Sequence, residues 1–238
     1  MVLLKEYIIP LPLSVDEYRV GQLWADNETR TREGNSELLL SESCMYDGEN
    51  AEYKKIVVRN DARVPSFVRH LAPAGSLDVH QEVWDSYPKF KVLIKSGYPN
   101  KRFHISMKMI CVPEDSGSKE NIHNEPDYDK IEKVVIDIAN DPVNKDKPEY
   151  DPQTFHSKKT GRGNLGLDWI SESKSEQPIM CCYVLAEVKL QIPGLQGKLE
   201  NMIQSSVRSI LTDQNREIFC GIDNWYGLEI SDIPKIGS

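Results

Sequence analysis

No apolar run in this sequence approaches the roughly 20 residues that a membrane-spanning helix needs, so no such helix is expected. There is no basic excess either. The formal charge of −8 argues against nucleic acid as a partner and against a strong electrostatic hold on anionic membranes. Cysteine is scarce. Cys44, Cys111, Cys181, Cys182 and Cys220 contain no Cys-x-x-Cys spacing and are odd in number, as expected of a reduced, cytoplasmic protein. No secretion leader is expected, because Lys5 and Glu6 interrupt the apolar N-terminus. The Asn27-Glu28-Thr29 sequon is then silent.

Signatures of catalysis are missing too. The sequence has no Gly-x-Ser-x-Gly elbow, no His-Glu-x-x-His and no phosphate-binding P-loop. His70, His80, His104, His123 and His156 are scattered without ligand spacing, so neither a metal nor a cofactor is expected. Carboxylates are plentiful, yet no pair stands out as an acid/base couple. The expectation is a protein that is not an enzyme; a site assembled only by tertiary structure is the alternative.

What is present is alternation and one long stripe. In residues 195–222 the apolar positions Leu195, Leu199, Met202, Ile203, Val207, Ile210, Leu211, Ile218, Phe219 and Ile222 recur at helical spacing, which predicts an amphipathic helix about 40 Å long. Strands are expected at 3–9, 37–40, 52–58, 89–95, 102–112, 133–138 and 179–191. The clearest is 102–112, where Phe103, Ile105, Met107 and Met109 alternate with His104, Ser106 and Lys108. Ser14-Val15-Asp16-Glu17 is a capping box and starts a helix at Val15 that carries Tyr18, Leu23 and Trp24. Residues 27–35 read as a polar loop, 79–84 as a short helix, and 139–177 as a long irregular segment of the kind that is either functional or disordered. A hydrophobic share of 39% against 28% charged residues suits one large or two small domains. Strands in succession with a helix last predict α+β, a curved antiparallel sheet closed by the long C-terminal helix. Periodicity shows that one sheet face is apolar. It does not decide between a solid core and a hollow.

Two local motifs carry competing readings. Gly161-Arg162-Gly163-Asn164-Leu165-Gly166 matches a dinucleotide fingerprint, but Ser157-Lys158-Lys159-Thr160 before it is no strand, so a structured glycine loop is preferred. Lys158, Lys159 and Arg162 form a small basic cluster, either a solvated loop or a contact for lipid phosphates. Ile192-Pro193-Gly194-Leu195 is either a helix start packed inward or a membrane-touching tip.

The whole chain, in order, resembles the phosphatidylinositol transfer proteins. The residues that carry the likeness are Met1-Val-Leu-Leu-Lys-Glu-Tyr7, Ser14-Val-Asp-Glu-Tyr18, Val20-Gly-Gln-Leu23, Val64-Pro-Ser-Phe-Val-Arg69, Leu71-Ala-Pro73, Lys159-Thr-Gly-Arg-Gly163 and Gly194-Leu-Gln196. Gln177-Pro-Ile-Met-Cys181 is similar to the retinal-degeneration-B branch, and Ala72-Pro-Ala-Gly75 to the classical branch. The resemblance implies one domain over residues 1–238, with a START-like helix-grip fold around a lipid cavity. It further implies a monomer that encloses one phospholipid, of phosphatidylinositol or phosphatidylcholine type, and moves it between membrane surfaces it touches transiently.

The resemblance also implies site residues, and here the chain departs from the pattern. The Thr and Lys that contact the inositol ring fall on Lys54 and Ile56, and the Asn falls on Asp85. The Glu of the final helix would fall after Ser238. Around the phosphate, Gln22 is kept, while two Thr and a Lys become Val92, Met109 and Val184. A site cysteine falls on Cys181 and a second on Phe90. The membrane-touching Trp pair becomes Ile192 and Pro193, and a Ser phosphorylated in some members is Ser157. A dry pocket built to pair a polar headgroup loses that pairing at an apolar replacement. The expectation is a kept cavity with altered headgroup selectivity, or alternatively a lipid-presenting module without efficient transfer.

Overall fold

The computed structural model describes residues 3–59, 78–96, 103–144, 147–172, 177–190 and 196–234. The whole of the motif at 64–73, together with Ile192 and Pro193, lies outside this set. The architecture is α+β: an eight-stranded, curved, unclosed sheet and, among the described residues, four α-helices. Strands β1 (Leu3–Leu11), β2 (Ser36–Tyr46), β3 (Glu49–Val58), β4 (Val79–Ser86), β5 (Lys89–Ser96), β6 (Phe103–Pro113), β7 (Glu132–Val135) and β8 (Met180–Leu190) lie in the order β2-β3-β4-β5-β6-β8-β1-β7.

The expected antiparallel sheet is in fact mixed. Neighbours from β2 through to β1 run antiparallel, but β7 lies parallel to β1, pairing Lys5 with Glu132 and Ile8 with Val135. Period-two patterning reports which face a side chain takes and is blind to strand direction.

The helix α1 (Val15–Glu33) begins as its sequence dictates. Glu17 donates its backbone N–H to Ser14 Oγ at 3.2 Å, and Ser14 donates its own to Glu17 Oε2 at 2.8 Å. It does not stop at the polar stretch 27–35. Asn27 to Arg32 are polar without breaking a helix, and the chain leaves it only at Gly34, whose φ of 60° suits glycine. Residues 79–84, read as a short helix, belong to β4. Val79 and Val83 fit either period, and pairing with β3 and β5 on both sides decides for the strand.

The remaining helices are α2 (Trp169–Glu172), α3 (Gln196–Cys220) and α4 (Ile222–Trp225). The expected helix at 195–222 is therefore α3 with a break at Gly221. A Cβ there would sit 2.5 Å from the Trp24 ring, so only glycine lets the two elements approach. The irregular segment 139–177 is packed and hydrogen-bonded where described. Arg216, almost wholly buried on α3, donates from Nε to Ile138 O at 2.7 Å and from Nη1 to Pro142 O at 2.9 Å. Trp169 donates to Asp137 at 2.9 Å, and Phe155 meets Phe219 edge-on at 5.7 Å.

The other sheet face is covered by residues 114–127. Tyr183 donates its hydroxyl to Asp115 and accepts the Lys119 N–H at 2.8 Å. Under the same loop, burial pulls the His123 pKa down to about 4, and its Nε2 has no partner among the described residues.

Two outcomes follow from this packing. A Cβ at Gly21 would lie 2.8 Å from Ile218 and 2.9 Å from Trp225, so Gly21→Val lowers stability by about 1–3 kcal/mol in urea unfolding. Gly166→Ala, which meets nothing within 4 Å, changes it by less than about 0.5 kcal/mol. The unfolded chain protonates His123 near its ordinary 6.5, while the folded chain resists until about 4. The unfolded state thus binds more protons across that window, and stability falls as pH is lowered through it. Urea midpoints of wild type and His123→Asn, followed from pH 7 to 4, converge in the acid range as the wild type loses its advantage.

Candidate functional site

The inner sheet face, α1 and α3 enclose a hollow of about 650 Å³, within the roughly 300–1,000 Å³ of small-molecule pockets. It stays open because α3 covers only one end of the sheet. Tyr7 of β1 donates its hydroxyl to Gln204 of α3 at 2.6 Å, and Ala186 and Val188 of β8 are buried with Ile203, Val207 and Leu211 in one core. Toward β3 and β4 the opposite wall is α1, which among the described residues meets this part of the inner face through Arg19 and Asp85.

Register places the inner side chains in rows across the strands. The first row runs Glu52, Asp85, Phe90, Met109, Val184 and Tyr7 from β3 to β1. The next carries Lys54, Val83, Val92 and Met107, and the third Ile56, Gln81, Ile94 and Ile105. The first row carries two acids, Glu52 and Asp85, and the two rows beyond it are apolar except for Lys54 and Gln81. The first row is also the closed end. Tyr18, Cys111 and Cys182 seal it, with the two sulfurs 3.1 Å apart. Ile210 and Ile230 also line the hollow and are exposed, so they form part of its rim.

The facing stripe of α1 is polar. Arg19, Gln22, Asp26 and Arg30 recur at spacings of three and four and all line the hollow. Arg19 donates from Nη2 to Asp85 Oδ2 at 2.8 Å and stands over the rings of Tyr87 and Phe90 at 5.1 and 5.4 Å. Asp26 accepts from Gln214 at 3.2 Å and lies 4.0 Å from Arg30. Its carboxyl is 39% exposed, but only to a space surrounded by protein, and burial raises its pKa. Lys54 pairs with Glu52 at 2.8 Å. Among the described wall residues, three bases (Arg19, Arg30, Lys54) face five acids (Asp26, Glu33, Glu52, Asp78, Asp85).

A family model described as "Phosphatidylinositol transfer protein" matches residues 2–238. The chain belongs to the phosphatidylinositol transfer protein family. Its relatives include the mouse phosphatidylinositol transfer protein beta isoform, 39% identical over 99% of this chain and 91% of the relative. Phosphatidylinositol transfer protein 5 of Dictyostelium discoideum is 36% identical over 99% of this chain and 83% of its own length. The mouse membrane-associated phosphatidylinositol transfer protein 2 is 33% identical over 99% of this chain, which is 18% of that longer protein. Members of the family are lipid carriers rather than enzymes, and their lipid is cargo rather than cofactor. No helix among the described residues is long and apolar enough to cross a membrane.

Against that family pattern, Gln22, Lys54, Ile56, Asp85, Phe90, Val92, Met109 and Val184 all line the hollow. Cys181 does not. It is buried on the opposite sheet face, where desolvation pushes its thiol pKa up, and its neighbour Cys182 takes the inner side. Ser157 is fully buried and donates to Asp223 at 2.5 Å, while the Lys158 and Lys159 N–H groups bond the same carboxylate at 2.9 and 3.1 Å. Arg162 is committed to Glu17 through two bonds of 3.0 and 2.8 Å. The glycine loop around it is a tight turn. Gly161 and Gly163 have φ of 70° and 136°, and a Cβ at Gly163 would lie 2.2 Å from Phe155 O. Only the four-residue α2 follows, so no helix N-terminus meets the loop where a pyrophosphate would sit.

Sequence reasoning missed Arg19, Asp26 and Arg30. The available signal was their helical spacing with Gln22, which the reading of 27–35 as a loop obscured.

Proposed function

We propose that this chain encloses one phospholipid in the hollow, as a single helix-grip domain of START type, and exchanges it between membranes. The observation that carries this reading is the amphipathic hollow itself: mostly apolar side chains from the sheet and α3, facing charged and amide groups along α1. Two acyl chains hold on the order of 30 methylenes, each favouring an apolar environment by about 0.8 kcal/mol. A carrier must therefore offer apolar contact that offsets roughly 25 kcal/mol. The names of the relatives support phospholipid transfer as the activity.

Headgroup choice differs from phosphatidylinositol on this reading. Val92, Met109 and Val184 line the wall at positions where the resemblance implies hydrogen-bonding side chains, and none of the three can supply a charge-assisted bond, typically about 1.5–3 kcal/mol. Lys54 faces inward but is engaged by Glu52. The protein works as a cytoplasmic monomer that touches bilayers transiently, without nucleic acid. A lipid-presenting module without efficient transfer is the second reading, favoured by Ile192 and Pro193 standing where the family has a membrane-touching Trp pair.

Native mass spectrometry of the protein purified from cells finds a bound phospholipid that is not predominantly phosphatidylinositol; a dominant phosphatidylinositol peak refutes the altered selectivity. Vesicle-to-vesicle transfer of labelled lipid separates carrier from presenting module, since the latter binds without transferring. Met107→Trp fills the hollow from the sheet side while leaving the fold intact by circular dichroism. Displacing as few as two methylenes at about 0.8 kcal/mol each lowers transfer about tenfold or more.

A further inference from the structure

We propose that Arg19 and Asp85 form a headgroup seat that selects phospholipids carrying a primary ammonium, the phosphate resting on Arg19 and the ammonium on Asp85. The proposal rests on the carrier reading above and adds the chemical class of the cargo.

The pair has spare capacity on both sides. A guanidinium has five N–H donors, and Arg19 gives one of them to Asp85; its ring contacts with Tyr87 and Phe90 use its faces, not its donors. Asp85 accepts that bond at Oδ2, and Oδ1 accepts none among the described residues. Both groups are largely enclosed, with side chains 16% and 8% exposed, so water supplies little of what is missing. An ion pair joined by one bond in a closed site is poorly compensated for its desolvation. A guest with both signs of charge, spaced as in a phosphodiester and an ethanolamine nitrogen, satisfies both partners at once. Gln22, one turn along α1 from Arg19, is nine-tenths buried in the same wall.

Charge decides against anionic headgroups. With five acids and three bases on the described wall, a net negative guest such as phosphatidylinositol, phosphatidylserine or phosphatidate meets a surplus of its own sign. Hydrogen bonding decides between the zwitterions. Choline has no N–H to give to Asp85 Oδ1, and the nearby Tyr87 and Phe90 rings that would attract its methyls are occupied by Arg19.

The test loads the wild-type chain from vesicles of equimolar phosphatidylethanolamine, its N-monomethyl and N,N-dimethyl forms, phosphatidylcholine and phosphatidylinositol, and reads occupancy by native mass spectrometry. Occupancy falls stepwise with N-methylation, and phosphatidylethanolamine exceeds phosphatidylcholine by roughly tenfold or more, the worth of charge-assisted bonds. Asp85→Asn, isosteric and uncharged, keeps bound phospholipid but collapses that ratio toward unity. Arg19→Gln lowers occupancy by every phospholipid. A wild-type ratio at or below unity overturns the seat while leaving the carrier reading intact. An unchanged ratio in Asp85→Asn overturns it as well. Absence of any bound phospholipid overturns the carrier reading and the seat together. Should the variants fail to fold, the wild-type methylation series alone decides.

Discussion

The structure depends on a mismatch of width. The sheet offers an inner face eight strands across, and the helix that packs on it reaches only β1 and β8, where Tyr7 and Gln204 fix it in place. An apolar face left uncovered is unfavourable by roughly 25 cal/mol per Å² exposed to water. Here α1 spans the gap without filling it, so part of the apolar face stays open to the hollow. A closer helix would give a solid core and no carrier.

Polarity then differs between the walls of the hollow. The α1 wall carries Arg19, Gln22, Asp26 and Arg30, and the sheet rows opposite hold Ile94, Ile105 and Met107. Met107 and Met109 are unbranched and adaptable, which suits a wall for apolar guests of differing shape. The placement of the ion pair follows from register: a strand displaced by two residues would keep its inner face yet move Asp85 out of the row of Phe90 and Val184.

Much of this was legible in the sequence, for reasons that differ by element. The capping box at Ser14 and the alternation through Ile105, Met107 and Met109 are local signals, and local signals survive folding. The direction of β7 is not local, because it depends on where the covering loop 114–127 delivers the chain. The length of α1 was hidden because its inner face is polar, and a helix that lines a hollow with Arg19, Gln22 and Asp26 looks like a loop to a hydrophobicity argument. Cys181 and Cys182 show how a single residue reverses a side assignment on a strand. The pairing of Arg19 with Asp85 joins residues 66 apart on a helix and a strand, and only the fold brings them together.

The bare backbone at positions 21 and 221 has one more implication, for how a guest enters. Where α1 crosses α3 and α4, Trp24 and Trp225 press into spaces that even a methyl group would fill, locking the three helices into a single clasp. A clasp of that tightness is a poor hinge. On the carrier reading any doorway then lies away from this clasp, and the short turn at Ile230–Asp232, whose leading isoleucine is half out in solvent, is a stretch of wall outside it.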